Sequence, residues 1–279
     1  MVIKCWGSRG SIPVSGKKYQ KYGGDTTCLE IRPKSGEIVI VDAGTGIRRL
    51  GNLAVREGLN SFDFIFTHAH WDHVMGFPFF KPIFSEHAEF RMHKCPFHSK
   101  FVETILSRVM SPPNFPVRFR DLRAKILYED ACPAEFRIGS MEVIPIALSH
   151  PNNGSGYKFV EDGKTFVFLT DNELGFTHRG GLSAQAYEEF VSGADLLFHD
   201  AEYTLEEYAY TVEWGHSTYV DALSLALAGG VKRFGMFHLN QDRFDPQVDD
   251  MVDDCRKRIA HAGQELDCFA VGADMVFEL

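Results

Sequence analysis

A cluster of three histidines and an aspartate follows directly on an apolar run, and no other feature constrains the fold of this chain as strongly. The run, residues 62–66, is typical of a buried strand. Histidines two residues apart share one face while the backbone stays extended, so the cluster can direct its side chains to one place. Imidazole and carboxylate ligands suit borderline divalent ions such as zinc. The cluster consists of His68, His70, Asp72 and His73. We predict that it is a metal site rather than a polar loop with scattered histidines.

Four other apolar runs also end in residues that can bind a metal or move a proton. Buried strands of α/β sheets carry functional groups at their carboxyl ends, so these residues are expected to meet at one edge. Each residue alone is more often a structural histidine or a turn aspartate, but the repetition of one arrangement favours a shared site. The residues at the ends of these runs are His150, Asp171, the pair His199 and Asp200, and His238. Of these, His199 is expected to be a buried, hydrogen-bonded residue rather than a further ligand. Histidines without such neighbours, among them His93 and His178, are expected at the surface.

The order and spacing of these residues resemble the HxHxDH…H…D…H pattern of the metallo-β-lactamase superfamily, and the resemblance spans nearly the whole chain. Segments 6–13, 22–29 and 41–46 are similar to those of its phosphodiesterase branch, which includes ribonuclease Z and cyclic-phosphate phosphodiesterases. Residues 215–218, with the sequence GHST, match a further signature of that branch.

The resemblance implies an α/β fold of the metallo-β-lactamase type. That fold is a four-layer αβ/βα sandwich in which two mixed β-sheets pack face to face, with helices on the outside. Residues 1–279 are expected to form a single hydrolase domain. Residues 95–130 are the least regular stretch within it, and we interpret them as a cover over the metal pocket or as a subunit interface of a homodimer. Apolar residues alternate over residues 268–279, which predicts one closing strand there.

The resemblance also implies two adjacent divalent metal ions. Water that bridges such a pair loses a proton near neutral pH and becomes a hydroxide nucleophile. The histidine-rich ligand set favours Zn²⁺, with Mn²⁺ or iron as alternatives. The first ion would be held by His68, His70 and His150, and the second by Asp72, His73 and His238, with Asp171 bridging both.

Departure of the leaving group requires a proton, and the same branch places a histidine and a carboxylate for this purpose. His216 is the candidate general acid, with Asp200 as its orienting carboxylate and Asp72 as a further catalytic residue. Ribonuclease Z commonly has glutamate where this chain has Asp200. The shorter aspartate side chain leaves the distance between Asp200 and His216 open at this point. The alternative is a structural histidine before a helix that Ser217 would cap. Asp42 is predicted either to orient a ligand histidine or to serve as a turn or cap residue.

The segment 95–130 also supplies the predicted substrate contacts. A Pro-rich turn there carries Phe115, Arg118 and Phe119. Aromatic rings stack on a base or sugar ring, and a guanidinium attracts a phosphate, so we predict that these three side chains bind the substrate. The competing interpretation is that this segment projects from the surface and forms part of a subunit interface.

Composition limits the partners of the protein. A net charge of −9 disfavours broad electrostatic contact with nucleic acid, although a local basic groove stays compatible with it. No apolar stretch approaches the ~20 residues that a membrane-spanning helix needs. The sequence begins directly with a predicted strand and its six cysteines lack metal-site spacing, so we expect a cytoplasmic protein with reduced thiols.

These observations predict a di-metal hydrolase that cleaves a small cyclic or linear phosphodiester. The first alternative is a tRNA 3′-end endonuclease of the ribonuclease Z type, which would make RNA the partner. A second alternative is a lactonase or thioesterase, in which the same metal hydroxide attacks a carbonyl and His216 is not required. A metal-binding protein without turnover is the third, and the complete ligand set argues against it.

Overall fold

The computed structural model describes residues 1–93, 101–129 and 135–279, and within these ranges the strands form two seven-stranded sheets. The first sheet contains β1 (Val2–Gly7), β2 (Cys28–Arg32), β3 (Val39–Val41), β4 (Ser61–Ile65), β5 (Glu89–His93), β6 (Lys125–Tyr128) and β14 (Val276–Glu278). The second contains β7 (Phe136–Ile138), β8 (Met141–Ala147), β9 (Ser155–Glu161), β10 (Lys164–Leu169), β11 (Leu196–Asp200), β12 (Arg233–Phe237) and β13 (Asp267–Ala270).

Both sheets are mixed. The first has the order β14-β1-β2-β3-β4-β5-β6, and its strands are parallel from β3 to β6 and antiparallel elsewhere. The second has the order β13-β12-β11-β10-β9-β8-β7, and its strands are parallel from β10 to β13. Parallel strands end at the same edge of a sheet, so the residues that follow them are brought together there.

Helices cover the outer face of each sheet, which gives four layers. Helix α1 (Ile47–Glu57) buries Ile47, Leu50 and Ala54 at helical spacing against the first sheet. The remaining helices are α2 (Trp71–Val74), α3 (Phe101–Val109), α4 (Ala184–Val191), α5 (Leu205–Tyr208), α6 (Tyr219–Ala228) and α7 (Asp245–His261). Helices α4, α6 and α7 pack on the second sheet.

A separate apolar core lies between the two sheets. It joins Ile3 and Val39 of the first sheet to Phe159 and Phe166 of the second, all of them buried. A face-to-face pair of sheets with helices outside is the αβ/βα sandwich that the sequence predicts, and that prediction is confirmed.

Packed phenylalanines fix the strand that leads to the histidine cluster. In β4, the ring of Phe62 lies 5.1 Å from that of Phe80 and 5.4 Å from that of Phe90, and the rings of Phe64 and Phe90 are 5.6 Å apart, measured between centroids. Edge-to-face and stacked aromatic pairs of this kind hold their rings in defined positions. The end of β4 therefore projects from a rigid base.

Two local predictions are wrong. Residues 268–279 do not form one closing strand, because β13 lies in the second sheet and β14 in the first, with a turn between them. The cap of α6 is Thr218 rather than Ser217, since the Thr218 hydroxyl accepts a hydrogen bond from the Asp221 N–H at 3.0 Å. The Ser217 hydroxyl instead donates to the Asn172 carbonyl at 2.6 Å.

The segment 95–130 is described from residue 101 to residue 129, and its parts at 95–100 and at 130 lie outside the described residues. Val102 and Leu106 of α3 are buried in the outer core of the first sheet. Val102, Ile105 and Leu106 also line a narrow cleft together with Phe66, His68 and Val74. The helix thus borders the histidine cluster, while its role as cover or interface, like the single-domain assignment, stays a prediction.

Across residues 1–93, 101–129 and 135–279, no helix combines the length and the apolar character that crossing a bilayer requires.

We expect the Thr218→Ala variant to lower the free energy of unfolding by about 1–2 kcal/mol, because the first turn of α6 loses its side-chain cap. Thr218→Ser retains the hydroxyl and should lose much less. Urea denaturation of both variants measures the difference. Equal destabilisation by the two substitutions would show that the methyl group, rather than the cap, is what matters.

Candidate metal centre

The seven predicted ligands lie together at the carboxyl-terminal edges of the sheets. Residues within each of two groups offer ligand atoms that are all within 4.8 Å of one another. The first group is His68, His70, His150 and Asp171. The second group is Asp72, His73, Asp171 and His238.

Four separate chain segments supply these residues. His68 and His70 follow β4, and Asp72 and His73 lie in the single turn of α2 immediately after them. The other ligand residues come after β8, β10 and β12, and they are His150, Asp171 and His238. The alternation of strand and loop that the sequence shows is therefore what assembles the site.

In the first group the side-chain atoms converge from three directions. His150 Nε2 lies 3.0 Å from His70 Nδ1, and His68 Nε2 lies 3.4 Å from Asp171 Oδ2. Burial, followed by the electrostatic effect of the neighbouring His68, lowers the pKa of His70 to about 4, and the same causes hold the pKa of His150 well below its usual value. Both imidazoles are thus neutral at physiological pH, the state in which imidazole ligates a metal.

The second group is held around two carboxylates. His73 Nε2 lies 3.3 Å from Asp72 Oδ2, and His238 Nε2 lies 3.1 Å from the same oxygen. Asp171 reaches both groups, with Oδ1 3.2 Å from His73 Nε2 and Oδ2 3.4 Å from His68 Nε2. Burial alone would raise the pKa of Asp171, but His238, His73 and His68 outweigh it and hold that pKa well below its usual value.

Two ring nitrogens in the site are buried and have no hydrogen-bond partner. They are His68 Nε2 and His73 Nε2, and both are directed toward the shared carboxylates. A buried polar atom without a partner is costly, and such atoms need an explanation. A cation between nitrogen and oxygen donors would satisfy both atoms, so the residues present fit a pair of divalent ions.

Three residues of the site have a left-handed backbone although none is glycine. The φ angles are 61° at Asp42, 54° at Asp171 and 55° at His238. This conformation is uncommon for side-chain-bearing residues and is concentrated at functional sites. The surrounding sheet edges therefore hold these side chains in orientations that the chain alone would not favour.

Asp42 contacts a predicted ligand histidine, as one of its two predicted roles requires. Its Oδ2 lies 2.8 Å from His73 Nδ1, and it also accepts hydrogen bonds from the Thr67 N–H at 2.8 Å and the Thr67 hydroxyl at 2.7 Å. Because the carboxylate accepts the hydrogen bond of Nδ1–H, the lone pair of His73 Nε2 faces the second group.

We expect Asp42→Asn to weaken metal binding by about 10–100-fold, the usual effect of losing an orienting partner. Asp63→Asn is a matched control, because Asp63 is also a buried carboxylate bound to a histidine, with Oδ1 2.7 Å from His93 Nε2, but belongs to neither ligand group. Competition with a chromogenic chelator measures both affinities. Equal weakening in the two variants would contradict a specific role for Asp42.

Further orienting groups were not identified from the sequence. Buried Glu202 lies with Oε2 3.0 Å from His238 Nδ1, and Asn240 Nδ2 donates to its other oxygen at 2.9 Å. The Gly215 carbonyl accepts from His150 Nδ1 at 2.9 Å. Glu202 stands two residues beyond Asp200 after a strand, which is a usable signal, whereas a backbone carbonyl leaves none in the sequence.

His216 and Asp200 are adjacent, as the sequence predicts. His216 Nδ1 lies 2.6 Å from Asp200 Oδ2 and 3.4 Å from Glu202 Oε2, and its ring stacks on that of His238 with centroids 4.5 Å apart. Burial alone would lower the pKa of His216, but the carboxylates of Glu202 and Asp200 outweigh it and raise the pKa to about 9. With Nδ1 engaged, Nε2 is the nitrogen that can face a substrate.

The three predicted substrate contacts differ in how much of their surface is exposed. Arg118 is exposed, and Phe115 is half-buried against Phe79, with ring centroids 5.7 Å apart. Phe119 is only 6% exposed and packs 6.1 Å from Phe77, which leaves it little surface for stacking on a substrate. The substrate-binding role of all three stays a prediction.

Two histidines expected at the surface have buried partners instead. His93 bonds Asp63, and His178 Nε2 lies 2.8 Å from a carboxylate oxygen of Glu173. His199 is a buried, hydrogen-bonded residue, as expected, with Nδ1 2.7 Å from the Asp200 carbonyl.

Comparison with known proteins gives one family and several relatives. Residues 38–239 match the family described as the beta-lactamase superfamily domain. Ribonuclease Z of Leuconostoc mesenteroides is 24% identical over 236 residues, which cover 70% of this chain and 74% of that protein.

Two solved structures share the fold over the whole chain. A new diphosphatase from the PhnP family has a TM-score of 0.70 at 18% identity, covering 100% of this chain and 97% of that one. The short form of human tRNase Z has a TM-score of 0.63 at 18% identity, covering 100% of this chain and 99% of that one.

Proposed function

Because the chain belongs to the metallo-β-lactamase superfamily, in its phosphodiesterase and ribonuclease Z-like branch, we propose that it is a metal-dependent hydrolase of a small cyclic or linear phosphodiester. The family and the ribonuclease Z and diphosphatase relatives support a metal-dependent hydrolase acting on phosphodiester-type substrates. The observation that carries the finer proposal is the position of Asp171 between two ligand groups, with His216 stacked on His238 of the second group.

The residues fit a pair of divalent ions, for which Zn²⁺ is our proposal on the basis of the histidine-rich donor set. When bound, such a pair would supply an ionised water as the nucleophile and would offset the negative charge that grows on the phosphoryl oxygens. The ligands would be His68, His70 and His150 for the first ion, Asp72, His73 and His238 for the second, and Asp171 for both.

The protein's own part in bond cleavage is the supply of a proton. As the oxygen of the nucleophile bonds to phosphorus, the bond from phosphorus to the leaving oxygen breaks, and that oxygen takes the proton of His216 Nε2. Asp200, 2.6 Å from Nδ1, orients the imidazole and stabilises its charged form. A linear diester yields a phosphomonoester and an alcohol, and a cyclic diester yields a single phosphomonoester that carries the new hydroxyl.

A second candidate is cleavage of precursor tRNA at its 3′ end. The name of the Leuconostoc mesenteroides relative and the tRNase Z fold likeness favour it. The net charge of −9 opposes it, because binding to a nucleic acid backbone depends on cationic side chains. A lactonase or thioesterase would have no use for the hydrogen-bonded pair of His216 and Asp200.

A substrate panel tests these alternatives. We expect the Zn²⁺-loaded protein to hydrolyse bis(p-nitrophenyl) phosphate and a 2′,3′-cyclic nucleotide, and to leave a lactone intact. Faster cleavage of a precursor tRNA than of every small diester would favour the second candidate. Hydrolysis of the lactone alone would overturn the proposal. Elemental analysis of the protein as purified tests the choice of zinc.

A further inference from the structure

The loop that carries His216 is held from the inside by the carboxylate of Asp200, which bonds His216 and the Ser217 N–H, and by that of Glu173. The Glu173 side chain is 1% exposed and accepts hydrogen bonds from the Glu213 N–H at 2.8 Å and from the Gly215 N–H at 2.7 Å. The Tyr208 hydroxyl donates to it at 2.6 Å, and His178 Nε2 lies at 2.8 Å. Each carboxylate oxygen thus has two partners, and two of the four are backbone amides of the loop.

The outer side of the same loop faces solvent. Tyr210 is 87% exposed and Trp214 is 62% exposed. Residues 209–213 form turns and residues 214–217 belong to no helix or strand, so no regular hydrogen-bond ladder fixes the stretch from 209 to 217. Since loops without such support are mobile, the contacts on the inner side decide where this loop lies.

Two functional groups depend on the position of this loop. The Gly215 carbonyl accepts from His150 Nδ1 at 2.9 Å, and the next residue is His216. The approach is close, because a Cβ at Gly215 would lie 2.1 Å from His150 Nδ1 and the φ angle there is +93°. A shift of the loop by one ångström would therefore move the carbonyl and the imidazole out of reach of their partners.

The segment that bears Glu173 begins at the shared ligand Asp171. Between them, the Asn172 carbonyl accepts from the Ser217 hydroxyl at 2.6 Å, and the same hydroxyl accepts from the Leu174 N–H at 3.0 Å. The loop is thus joined to residues 171–174 at both Gly215 and Ser217. His216 lies between these two attachment points.

We infer that Glu173 is a positioning residue that holds His216 and the Gly215 carbonyl in register with the ligand groups. The inference rests on the proposed function, since it concerns delivery of a proton to the leaving group. Glu173 itself touches neither substrate nor ligand atoms. Its effect passes through the Glu213 and Gly215 amides.

The leaving group of the substrate separates this role from a merely structural one. p-Nitrophenolate departs without a proton, whereas an alkoxide requires one. We expect Glu173→Ala, assayed with saturating Zn²⁺, to lower kcat about 100-fold on the alkoxide diester that the wild type hydrolyses fastest, the lower end of what a general acid contributes. On bis(p-nitrophenyl) phosphate kcat should change little, and KM should stay near that of the wild type on both substrates.

Hydrogen exchange gives a second readout that does not depend on activity or on metal. In Glu173→Ala the amides of Glu213 and Gly215 should exchange at least about tenfold faster, because both lose their acceptor. Glu173→Gln keeps the shape of the side chain but presents an NH₂ group where one oxygen was, so one loop amide loses its acceptor. It should fall between wild type and Glu173→Ala in exchange and in turnover.

Glu161 provides the matched control. It too is a buried carboxylate that accepts from a backbone amide, that of Lys34 at 2.9 Å, and it pairs with the amino group of Met1 rather than with the ligand groups. Glu161→Ala should destabilise the protein without changing the ratio of kcat on the two substrates or the exchange of the loop amides.

Three results are decisive. Equal loss of kcat on both substrates in Glu173→Ala and Glu173→Gln, with unchanged exchange at Glu213 and Gly215, would overturn the inference and leave the proposed function standing. If Glu173→Ala does not fold, the intermediate behaviour expected of Glu173→Gln decides the matter alone. A wild-type protein that hydrolyses neither diester would overturn the proposed function, and the inference with it.

Discussion

Replacing Asp171 with alanine should abolish hydrolysis and remove both metal ions together. The carboxylate lies between the two ligand groups, so its loss takes one donor from each and leaves His68 Nε2 and His73 Nε2 without their common counter-charge. The fall in kcat/KM should exceed the roughly 10–100-fold that the loss of an orienting partner costs. Elemental analysis after dialysis and the diester assay measure the two effects.

The control for this variant is Asp195→Ala. Asp195 is a buried carboxylate near the second sheet that accepts from the Thr165 N–H at 2.9 Å and from Lys232 at 2.8 Å, and it belongs to neither ligand group. The Asp195→Ala variant should bind metal as the wild type does. Retention of two full equivalents of metal by Asp171→Ala would contradict a bridging position for this carboxylate.

Replacing His216 with alanine should lower kcat about 10²–10⁴-fold on a diester with an alkoxide leaving group, the usual contribution of a general acid. Metal content should stay near two equivalents, because His216 belongs to neither of the two main ligand groups. Steady-state kinetics and elemental analysis of the same sample test both statements. His87→Ala, which removes an exposed imidazole, should match the wild type in both.

Loss of metal in His216→Ala would assign this residue a different role. His216 also forms a third group with Asp200 and His238 whose ligand atoms lie within 4.8 Å of one another. A metal-depleted variant would therefore point to ligation by His216, and normal turnover on the alkoxide substrate would exclude proton donation by it.

The ligand groups could be predicted from the sequence because their pattern is local. Each ligand follows a short apolar run, and four of the seven lie within residues 68–73, where spacing alone indicates convergence. The sandwich fold followed from the same residues through the family resemblance. Their arrangement in space required that the loops after the parallel strands β4, β10 and β12 meet the loop after the antiparallel strand β8.

The groups that orient the ligands could not be predicted, because their partners are distant in the chain. Glu202 meets His238 across 36 positions, and Glu173 meets Gly215 across 42. A single buried carboxylate in a sequence gives no sign of which donor it will face. The same lack of a local signal explains why His93 and His178 were expected at the surface.

The predicted boundaries of helices and strands are wrong where tertiary contacts decide between residues that suit a position equally well. Ser217 and Thr218 are both good caps by residue type, and only the bond from Ser217 to Asn172 settles which one begins the helix. Residues 268–279 alternate as a strand should, but the turn between Ala270 and Val276 sends their two halves to different sheets.

The left-handed backbone at Asp171 and His238 is unfavourable for stability, whereas the side chains at these two positions are needed for the proposed function. Glycine reaches that conformation at lower energetic cost than any residue with a side chain, so thermal resistance alone would favour glycine at both positions. Directed evolution that selects only for heat tolerance should therefore admit glycine there and produce robust but inactive proteins. A selection that also demands turnover would have to find its added robustness elsewhere in the chain.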